Sequence, residues 1–137
     1  MTTFVDTSAF FAALDASDSE HERAQSILAG PEEWITSDHV LVELWRLLSL
    51  ILDERRADLG IRRLLESLAH VEPVGMADVQ TALDIGADFP DQDFSLVDRT
   101  SFAVMRRLGV STVATFDHHF AVYRFGPGKR RAFEIAR

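Results

Sequence analysis

The sequence contains no cysteine, a single lysine, and no apolar run long enough to cross a membrane. Without cysteine the chain has no disulfide framework, no thiolate metal site and no cysteine nucleophile. A membrane-spanning helix needs roughly 18 or more consecutive apolar residues. The first residues, Met1 to Asp6, place no basic segment ahead of an apolar one, so no signal peptide is visible. We therefore expect a cytoplasmic protein with no membrane partner.

Two glycine-dependent motifs are also missing. The seven glycines are scattered, and none forms the Gly-x-x-x-x-Gly-Lys loop that cradles nucleotide phosphates. Ser8 lies outside any Gly-x-Ser-x-Gly elbow, the turn that exposes a serine nucleophile. Both ATP-dependent chemistry and serine hydrolysis are therefore disfavoured.

The net charge of −8 argues against nucleic-acid binding, because such binding depends largely on neutralising phosphates. The charge is unevenly distributed, however. From Arg124 onwards the chain has five basic residues against the single acid Glu134. Thirteen of the 14 basic residues are arginine, whose planar guanidinium suits bidentate phosphate contact. The sequence alone leaves open whether this basic edge binds nucleic acid.

The hydrophobic spacing predicts helices alternating with strands in one domain that spans residues 1–137. The predicted strands are Thr3–Val5, Trp34–Ser37, His70–Val74, Ser111–Thr115 and, at an edge, Arg131–Ile135; the predicted helices are Ser8–Ala16, Glu20–Ala29, Val40–Leu52, Arg55–Ala69, Ala77–Ala87 and Ser95–Leu108. The helix over Val40–Leu52 is apolar on nearly every face and is predicted to be buried. The alternation predicts an α/β fold, with a central, mainly parallel five-stranded sheet in a three-layer α/β/α arrangement.

Acids follow two of the predicted strands. Asp6 comes directly after the first strand, and Asp117 ends the apolar segment that begins at Ser111. In open α/β sheets, ligands bind outside the carboxyl ends of the strands, so these acids are candidates for one shared site. Each also has a purely structural interpretation, Asp6 as a helix N-cap and Asp117 as the cap of a turn.

Two further acids lie on predicted helices. Glu43 belongs to a narrow polar strip with Arg46 and Ser49 on an otherwise apolar helix, and it either faces a wet cleft or pairs with Arg46. Asp98 stands three residues after Ser95, the spacing of a capping box. It is therefore either a cap or a member of the same acidic cleft.

The remaining candidates are weaker. Asp91 and Asp93 lie in a proline-containing loop and are expected to be solvated, with Asp93 a fifth candidate at the mouth of the cleft. His118 and His119 are adjacent and lack the His-x-x-x-His spacing of a helical metal site. We expect both histidines to be surface or turn residues.

Carboxylates that converge raise one another's pKa unless a cation lies among them. Oxygen-only ligation suits Mg²⁺ or Mn²⁺, and such ions hydrolyse phosphodiesters by activating water and stabilising the leaving oxygen. The pattern therefore favours a metal-dependent nuclease. Two alternatives remain open: a phosphatase or phosphoryl-acceptor domain with Asp6 as nucleophile, and a binding or regulatory domain with an acidic cleft but no turnover.

Four motifs in order resemble those of PIN-domain ribonucleases. They are Phe4-Val5-Asp6-Thr7-Ser8, Glu43 in the third helix, Ser95-Leu96-Val97-Asp98, and Thr115-Phe116-Asp117-His118-His119-Phe120. The resemblance spans nearly the whole chain. At this length the chain most resembles the VapC toxins of bacterial VapBC toxin–antitoxin pairs.

The resemblance implies a PIN-like fold, homodimerisation, and cleavage of RNA that depends on Mg²⁺, with Mn²⁺ able to substitute. By position, Asp6 and Asp98 resemble the main metal ligands, and Glu43 and Asp117 resemble ligands acting through water or a second ion. Thr7, Ser95 and Thr115 resemble supporting hydroxyls. The implied partners are an RNA substrate and a VapB-like antitoxin that occludes the cleft; a PIN nuclease that is not a toxin is the alternative within the family.

Overall fold

The computed structural model describes all 137 residues, in thirteen elements of secondary structure. In chain order they are β1 (Thr2–Val5), α1 (Thr7–Leu14), α2 (His21–Leu28), β2 (Glu33–Ser37), α3 (Asp38–Ile51), α4 (Glu54–Ser67), β3 (His70–Glu72), α5 (Met76–Asp88), α6 (Leu96–Leu108), β4 (Thr112–Ala114), α7 (His119–Val122), a 3₁₀ turn (Pro127–Lys129) and β5 (Glu134–Ile135). No helix has the length and apolar character needed to cross a membrane.

The five strands form one sheet in the order β3-β2-β1-β4-β5, and every pairing is parallel. Strand β1 lies at the centre, where Phe4, Val5, Val113 and Ala114 are fully buried. Parallel sheets need crossover helices, which cover the sheet and bury its strands on both faces. The predicted α/β/α fold with a parallel five-stranded sheet is confirmed, and β5 lies at an edge as expected.

An aromatic cluster fills the core between α6, α7 and β5. Phe102 stacks on Tyr123 with ring centroids 4.3 Å apart, and it meets Phe120 edge to face at 4.9 Å. Phe94 joins the same cluster through Phe102. These contacts fix the segment after β4 against α6, which is the arrangement that brings Asp117 towards Asp98.

The helix α3 departs from the prediction. Val40, Leu44 and Leu48 are buried, but Val42 and Leu50 are each 69% exposed and Ile51 is 60% exposed. The expectation that this helix is buried on nearly every face is therefore wrong. Only one side of α3 packs on the core, so the helix is a surface element with an exposed apolar side.

Candidate active site

Asp6 lies where β1 passes into α1, at the centre of the carboxyl edge of the sheet. It is the N-cap of α1, in agreement with its structural interpretation, and its Oδ2 accepts hydrogen bonds from the Ser8 hydroxyl at 2.9 Å and the Thr115 hydroxyl at 2.9 Å. Both donors lie within the site, so Asp6 is more than a cap. Its side chain is a buried carboxylate held in one orientation by two hydroxyl groups.

Strand β4 delivers the second part of the site, because it pairs directly with β1. The Asp6 backbone N–H donates to the Ala114 carbonyl at 3.0 Å, which fixes the ends of the two strands side by side. The Thr115 hydroxyl then accepts from the Asp117 backbone N–H at 2.9 Å. Thr115 therefore links Asp6 to the turn that carries Asp117.

Asp98 enters from the first turn of α6. Ser95 caps this helix by accepting from the Asp98 backbone N–H at 3.0 Å, and Asp98 Oδ2 accepts in return from the Ser95 backbone N–H at 2.9 Å. The predicted capping box is confirmed. The cap uses only one oxygen of Asp98, so its second oxygen is available to the cleft.

Glu43 comes from the second turn of α3, and its charge acts on the same cleft. The ion pairs of the structure do not include Glu43 with Arg46, so the alternative of a simple helical pair is wrong. Glu43 instead lies beside Thr7 and within electrostatic range of Asp98 and Asp117. The Thr7 hydroxyl is buried and has no hydrogen-bond partner within the chain, so one polar atom of the cleft is unsatisfied.

The pKa values show how strongly these acids disfavour a common negative charge. Burial raises the pKa of Asp6 from 3.8 to about 6; the hydroxyls of Ser8 and Thr115 lower it, and the charge of Asp98 raises it. Burial also raises the pKa of Glu43, with Asp98 and Asp117 adding to the rise. The pKa of Asp98 is raised by burial and by Asp117, although the Ser95 backbone and His119 act against the rise. Burial is therefore the main cause of the raised pKa values, and the charges of the neighbouring carboxylates add to it.

His119 is the largest correction to the sequence analysis. The sequence predicts a surface or turn residue, but the side chain is only 12% exposed and Nδ1 lies 2.8 Å from Asp98 Oδ2. Its Nε2 contacts Asp93 Oδ1 at 2.9 Å, and Asp117 Oδ1 lies 3.2 Å from Nδ1. Burial disfavours the charged imidazole, but the surrounding acids outweigh that effect and raise the pKa of His119. His118 is exposed, as expected.

Asp6 and Asp98 each have one carboxylate oxygen that accepts hydrogen bonds and one that does not. Every hydrogen bond to the side chains of Asp6 and Asp98 uses Oδ2, which leaves Oδ1 of each carboxylate without a donor. One possible ligand atom each of Asp117, His118 and His119 lies within 4.8 Å of the other two. No three of the four carboxylates have oxygen atoms this close together. The free oxygens and the unsatisfied Thr7 hydroxyl are oxygen ligands of the kind that a hydrated divalent cation takes.

The structure brings together Asp6, Glu43, Asp98 and Asp117, with Thr7 and Thr115 among them. Ser95 contributes as the cap of α6 and is otherwise exposed. Asp93, the fifth candidate, contacts the cleft only through His119. The sequence did not single out Ser8, whose hydroxyl donates to Asp6 and accepts from the Phe116 backbone N–H at 2.9 Å. Its position two residues after a strand-end aspartate was the available signal.

The chain is similar to known proteins over most of its length. The family model of the PIN domain matches residues 3–126. A Mycobacterium tuberculosis protein named 23S rRNA-specific endonuclease VapC20 is 37% identical over 124 residues, which cover 89% of this chain and 94% of the relative.

Solved structures give the same result. The crystal structure of Mycobacterium tuberculosis VapC20, described as a toxin that cleaves the sarcin–ricin loop, superposes with a TM-score of 0.83 at 33% identity, covering 89% of this chain and 94% of that one. VapBC2 from Rickettsia felis, bound to a promoter DNA fragment, shares the fold at 13% identity with a TM-score of 0.66, covering 86% and 89% of the two chains. The ordered acids, the sheet topology and these matches lead to one conclusion: the chain belongs to the PIN-domain family and is a homologue of the VapC endonuclease toxins.

Proposed function

We propose that this protein is a Mg²⁺-dependent endoribonuclease, with Mn²⁺ able to replace Mg²⁺, and that it acts as the toxin of a type II toxin–antitoxin pair. The observation that supports this proposal most directly is the set of four carboxylates at one edge of the sheet, whose pKa values are raised at three positions. Acids in this arrangement are relieved of their mutual repulsion by a hard divalent cation.

The metal-binding roles that we propose for the four carboxylates depend on which of their oxygen atoms are free of hydrogen bonds. Asp6 and Asp98, each with Oδ1 free, would hold the metal directly, and Glu43 and Asp117 would hold it through water or a second ion. When bound, the metal supplies an activated water and stabilises negative charge on the leaving oxygen of the phosphodiester. Thr115 and Ser8 orient Asp6, the Ser95 cap orients Asp98, and the unsatisfied Thr7 hydroxyl is placed to donate to Glu43 or to a water beside it.

The RNA substrate is proposed from the relatives. VapC20 is named for 23S rRNA and for the sarcin–ricin loop, and it matches nearly the full length of this chain. We therefore propose a structured ribosomal RNA hairpin as the first substrate to test. Such a target presents an ordered stem together with bases that a protein can read.

The test is cleavage of purified bacterial ribosomes and of protein-free 23S rRNA, with primer extension to map the cut. Cleavage should require Mg²⁺ or Mn²⁺, stop with chelator, and be abolished by Asp6→Asn. A matched control is Asp91→Asn, which removes an exposed acid outside the cleft and should leave the rate unchanged. Cleavage that persists in Asp6→Asn, or that ignores chelator, would refute the proposed site.

The proposed partners are a VapB-like antitoxin and a second copy of this chain. The toxin and the VapBC2 named among the relatives motivate the antitoxin, and the family resemblance motivates the homodimer. The exposed apolar side chains of α3, Val42, Leu50 and Ile51, are candidates for its contact surface. Sedimentation of the purified chain tests the dimer; a monomer at micromolar concentration, unchanged by Leu50→Lys, would refute it.

The alternative of an acidic-cleft domain without turnover predicts no cleavage and no metal binding. A thermal scan distinguishes the two, because a metal that binds the native state raises its stability by RT ln(1 + [L]/Kd). No shift with Mn²⁺ at millimolar concentration would favour the inert domain. A nuclease that is not a toxin would show the metal shift and RNA cleavage but no effect on growth when expressed without the antitoxin.

A further inference from the structure

The charged residues of this acidic protein are not spread evenly, and a group of exposed cations lies on α6 and on the segment that follows α7. Arg106, Arg124, Lys129, Arg130 and Arg131 are all exposed. None of them forms an ion pair, whereas Arg23, Arg56 and Arg107 each contact an acid. We call these five residues the basic face. Asp78 lines the same pocket as Arg106 and Arg131, but its carboxylate pairs with Arg107.

The cations of this face are held by neutral groups. The guanidinium groups of Arg106 and Arg131 both lie over the Phe125 ring, each 5.4 Å from its centroid, and Lys129 Nζ lies 4.7 Å from the centroid of Phe89. Arg106 also donates to the Tyr123 hydroxyl at 3.0 Å. Aromatic faces and a hydroxyl orient a cation without neutralising it. The positive charge is therefore ordered and still available to an anion.

The loop that carries these residues has a defined shape. Phe125 and Arg131 form an antiparallel bridge with two backbone hydrogen bonds of 3.0 Å, and Lys129 N donates to the Gly126 carbonyl at 3.0 Å. Gly126, Gly128 and Lys129 have positive φ angles of 74°, 66° and 52°, which tighten the turn. The loop thus presents Lys129, Arg130 and Arg131 from a closed backbone ring.

The basic face lies beside the proposed cleft and outside it. Arg106 is on the same helix as Asp98, eight residues on, which is about 12 Å along the axis. At the other end, Lys129 lies over Phe89, which packs on Phe94, and Phe94 contacts His119 at 5.3 Å between ring centroids. The basic face is therefore linked to the acidic cleft through α6 and through the contacts of Phe89 with Phe94 and of Phe94 with His119.

We propose that the basic face is an RNA-docking surface, which binds the phosphate backbone of a structured RNA while the scissile phosphate lies in the acidic cleft. The inference rests on the proposed ribonuclease function. A strongly acidic cleft repels a polyanion, so affinity must come from cations elsewhere, and phosphate contacts supply most of the affinity in such complexes. Arginine guanidinium groups over an aromatic ring also suit contact with ribose and bases at the edge of the stem.

The binding test uses a labelled synthetic hairpin with the sarcin–ricin loop sequence of 23S rRNA. The protein is the Asp6→Asn variant in EDTA, so that cleavage does not interfere. The test variant, which we call the loop triple, adds Lys129→Gln, Arg130→Gln and Arg131→Gln. The matched control, which we call the α4 triple, adds Arg55→Gln, Arg62→Gln and Arg63→Gln. These substitutions remove the same charge from exposed, unpaired positions on α4.

Removing one cation that binds a phosphate should lower the slope of log K against log salt concentration by about 1. The loop triple should therefore reduce the slope by about 2 to 3 and weaken binding, and the α4 triple should have a much smaller effect. Equal reductions in the two triples would overturn the proposal, because they would mean that only net charge matters. An unchanged slope in the loop triple, with the fold verified by its melting temperature, would overturn it as well.

A second measurement uses chains with Asp6 intact. For a short oligonucleotide that reaches no farther than the cleft, kcat/KM should be the same in the loop triple and in the native protein. For the full hairpin, KM should rise in the loop triple while kcat stays constant. Hairpin binding without cleavage would refute the catalytic proposal and leave the docking surface standing; no hairpin binding by the native sequence would refute the docking surface.

Discussion

The buried carboxylate of Asp6 makes a measurable prediction about the metal-free protein. Its pKa is raised from 3.8 to about 6 by burial, against the hydrogen bonds from Ser8 and Thr115. Since one pKa unit corresponds to about 1.36 kcal/mol, ionised Asp6 lowers the unfolding free energy at neutral pH by about 3 kcal/mol. Replacing it with asparagine keeps the shape and one acceptor oxygen and removes the charge.

The pH dependence follows from the direction of the shift. Below pH 3.8 Asp6 is protonated in both the folded and the unfolded chain, and it has no effect on stability. Between pH 3.8 and about 6 the unfolded chain releases a proton that the folded protein retains, so stability falls as the pH rises. Above about pH 6 the full penalty is present. Asp6→Asn should therefore stabilise the metal-free protein above about pH 6 and have little effect near pH 4.

The assay is denaturant unfolding in EDTA at pH 4, 5, 6, 7 and 8. We expect Asp6→Asn to gain about 1 to 3 kcal/mol of unfolding free energy at pH 7 to 8 and to match the native sequence near pH 4. Asp91→Asn, an exposed control outside the cleft, should show no such trend. If Asp6→Asn is no more stable than the native sequence at pH 8, or if its gain does not vary with pH, the reasoning about this buried charge is wrong.

Three other perturbations have expected outcomes. Mn²⁺ at 100 times its Kd should raise the unfolding free energy of the native sequence by about 2.7 kcal/mol, and Asp98→Asn should remove most of this gain in thermal scans. Arg107→Met leaves Asp78 nearly buried and unpaired, so it should lower stability by about 1 to 3 kcal/mol at pH 7. That loss should fade in acid unfolding experiments as the pH drops through the pKa values of Asp78 and Glu72, both of which Arg107 lowers; a loss that persists unchanged at pH 2 would contradict it. Gly126→Ala places Cβ 2.7 Å from Arg131 Cδ at a φ of 74°, and we expect a loss of about 1 to 2 kcal/mol by denaturant unfolding; an unchanged midpoint would show that the loop relaxes freely.

The order and type of the main elements could be predicted because their signals are local. Apolar strands such as Phe4-Val5 and the capping box at Ser95 are visible in short windows of sequence, and both occur in the structure. The side of a helix that faces the core is not local information. The helix α3 shows this, because its apolar residues continue around the helix while only Val40, Leu44 and Leu48 are buried in the core.

The acids of the site were predictable from their places at strand and helix ends, but the role of His119 was not. Its contacts with Asp98 and Asp93 join segments 21 and 26 residues apart in sequence. Adjacent histidines point in different directions, so the pair gave no signal that the His118 ring is exposed and the His119 ring largely buried. Contacts of this kind depend on the packing of Phe94 and α7, which no local pattern encodes.

The pairing of β1 with β4 has a consequence for how activity depends on folding. The hydrogen bond from Thr115 to Asp6 spans 109 positions of the chain, and that from Phe116 to Ser8 spans 108. Loop closure over such separations is slow and unfavourable until the intervening helices are packed. The cleft is therefore assembled only when β1 and β4 are paired, and it is absent from a partly folded intermediate or from a fragment that lacks one of the two strands. Loss of nuclease activity in denaturant should coincide with global unfolding.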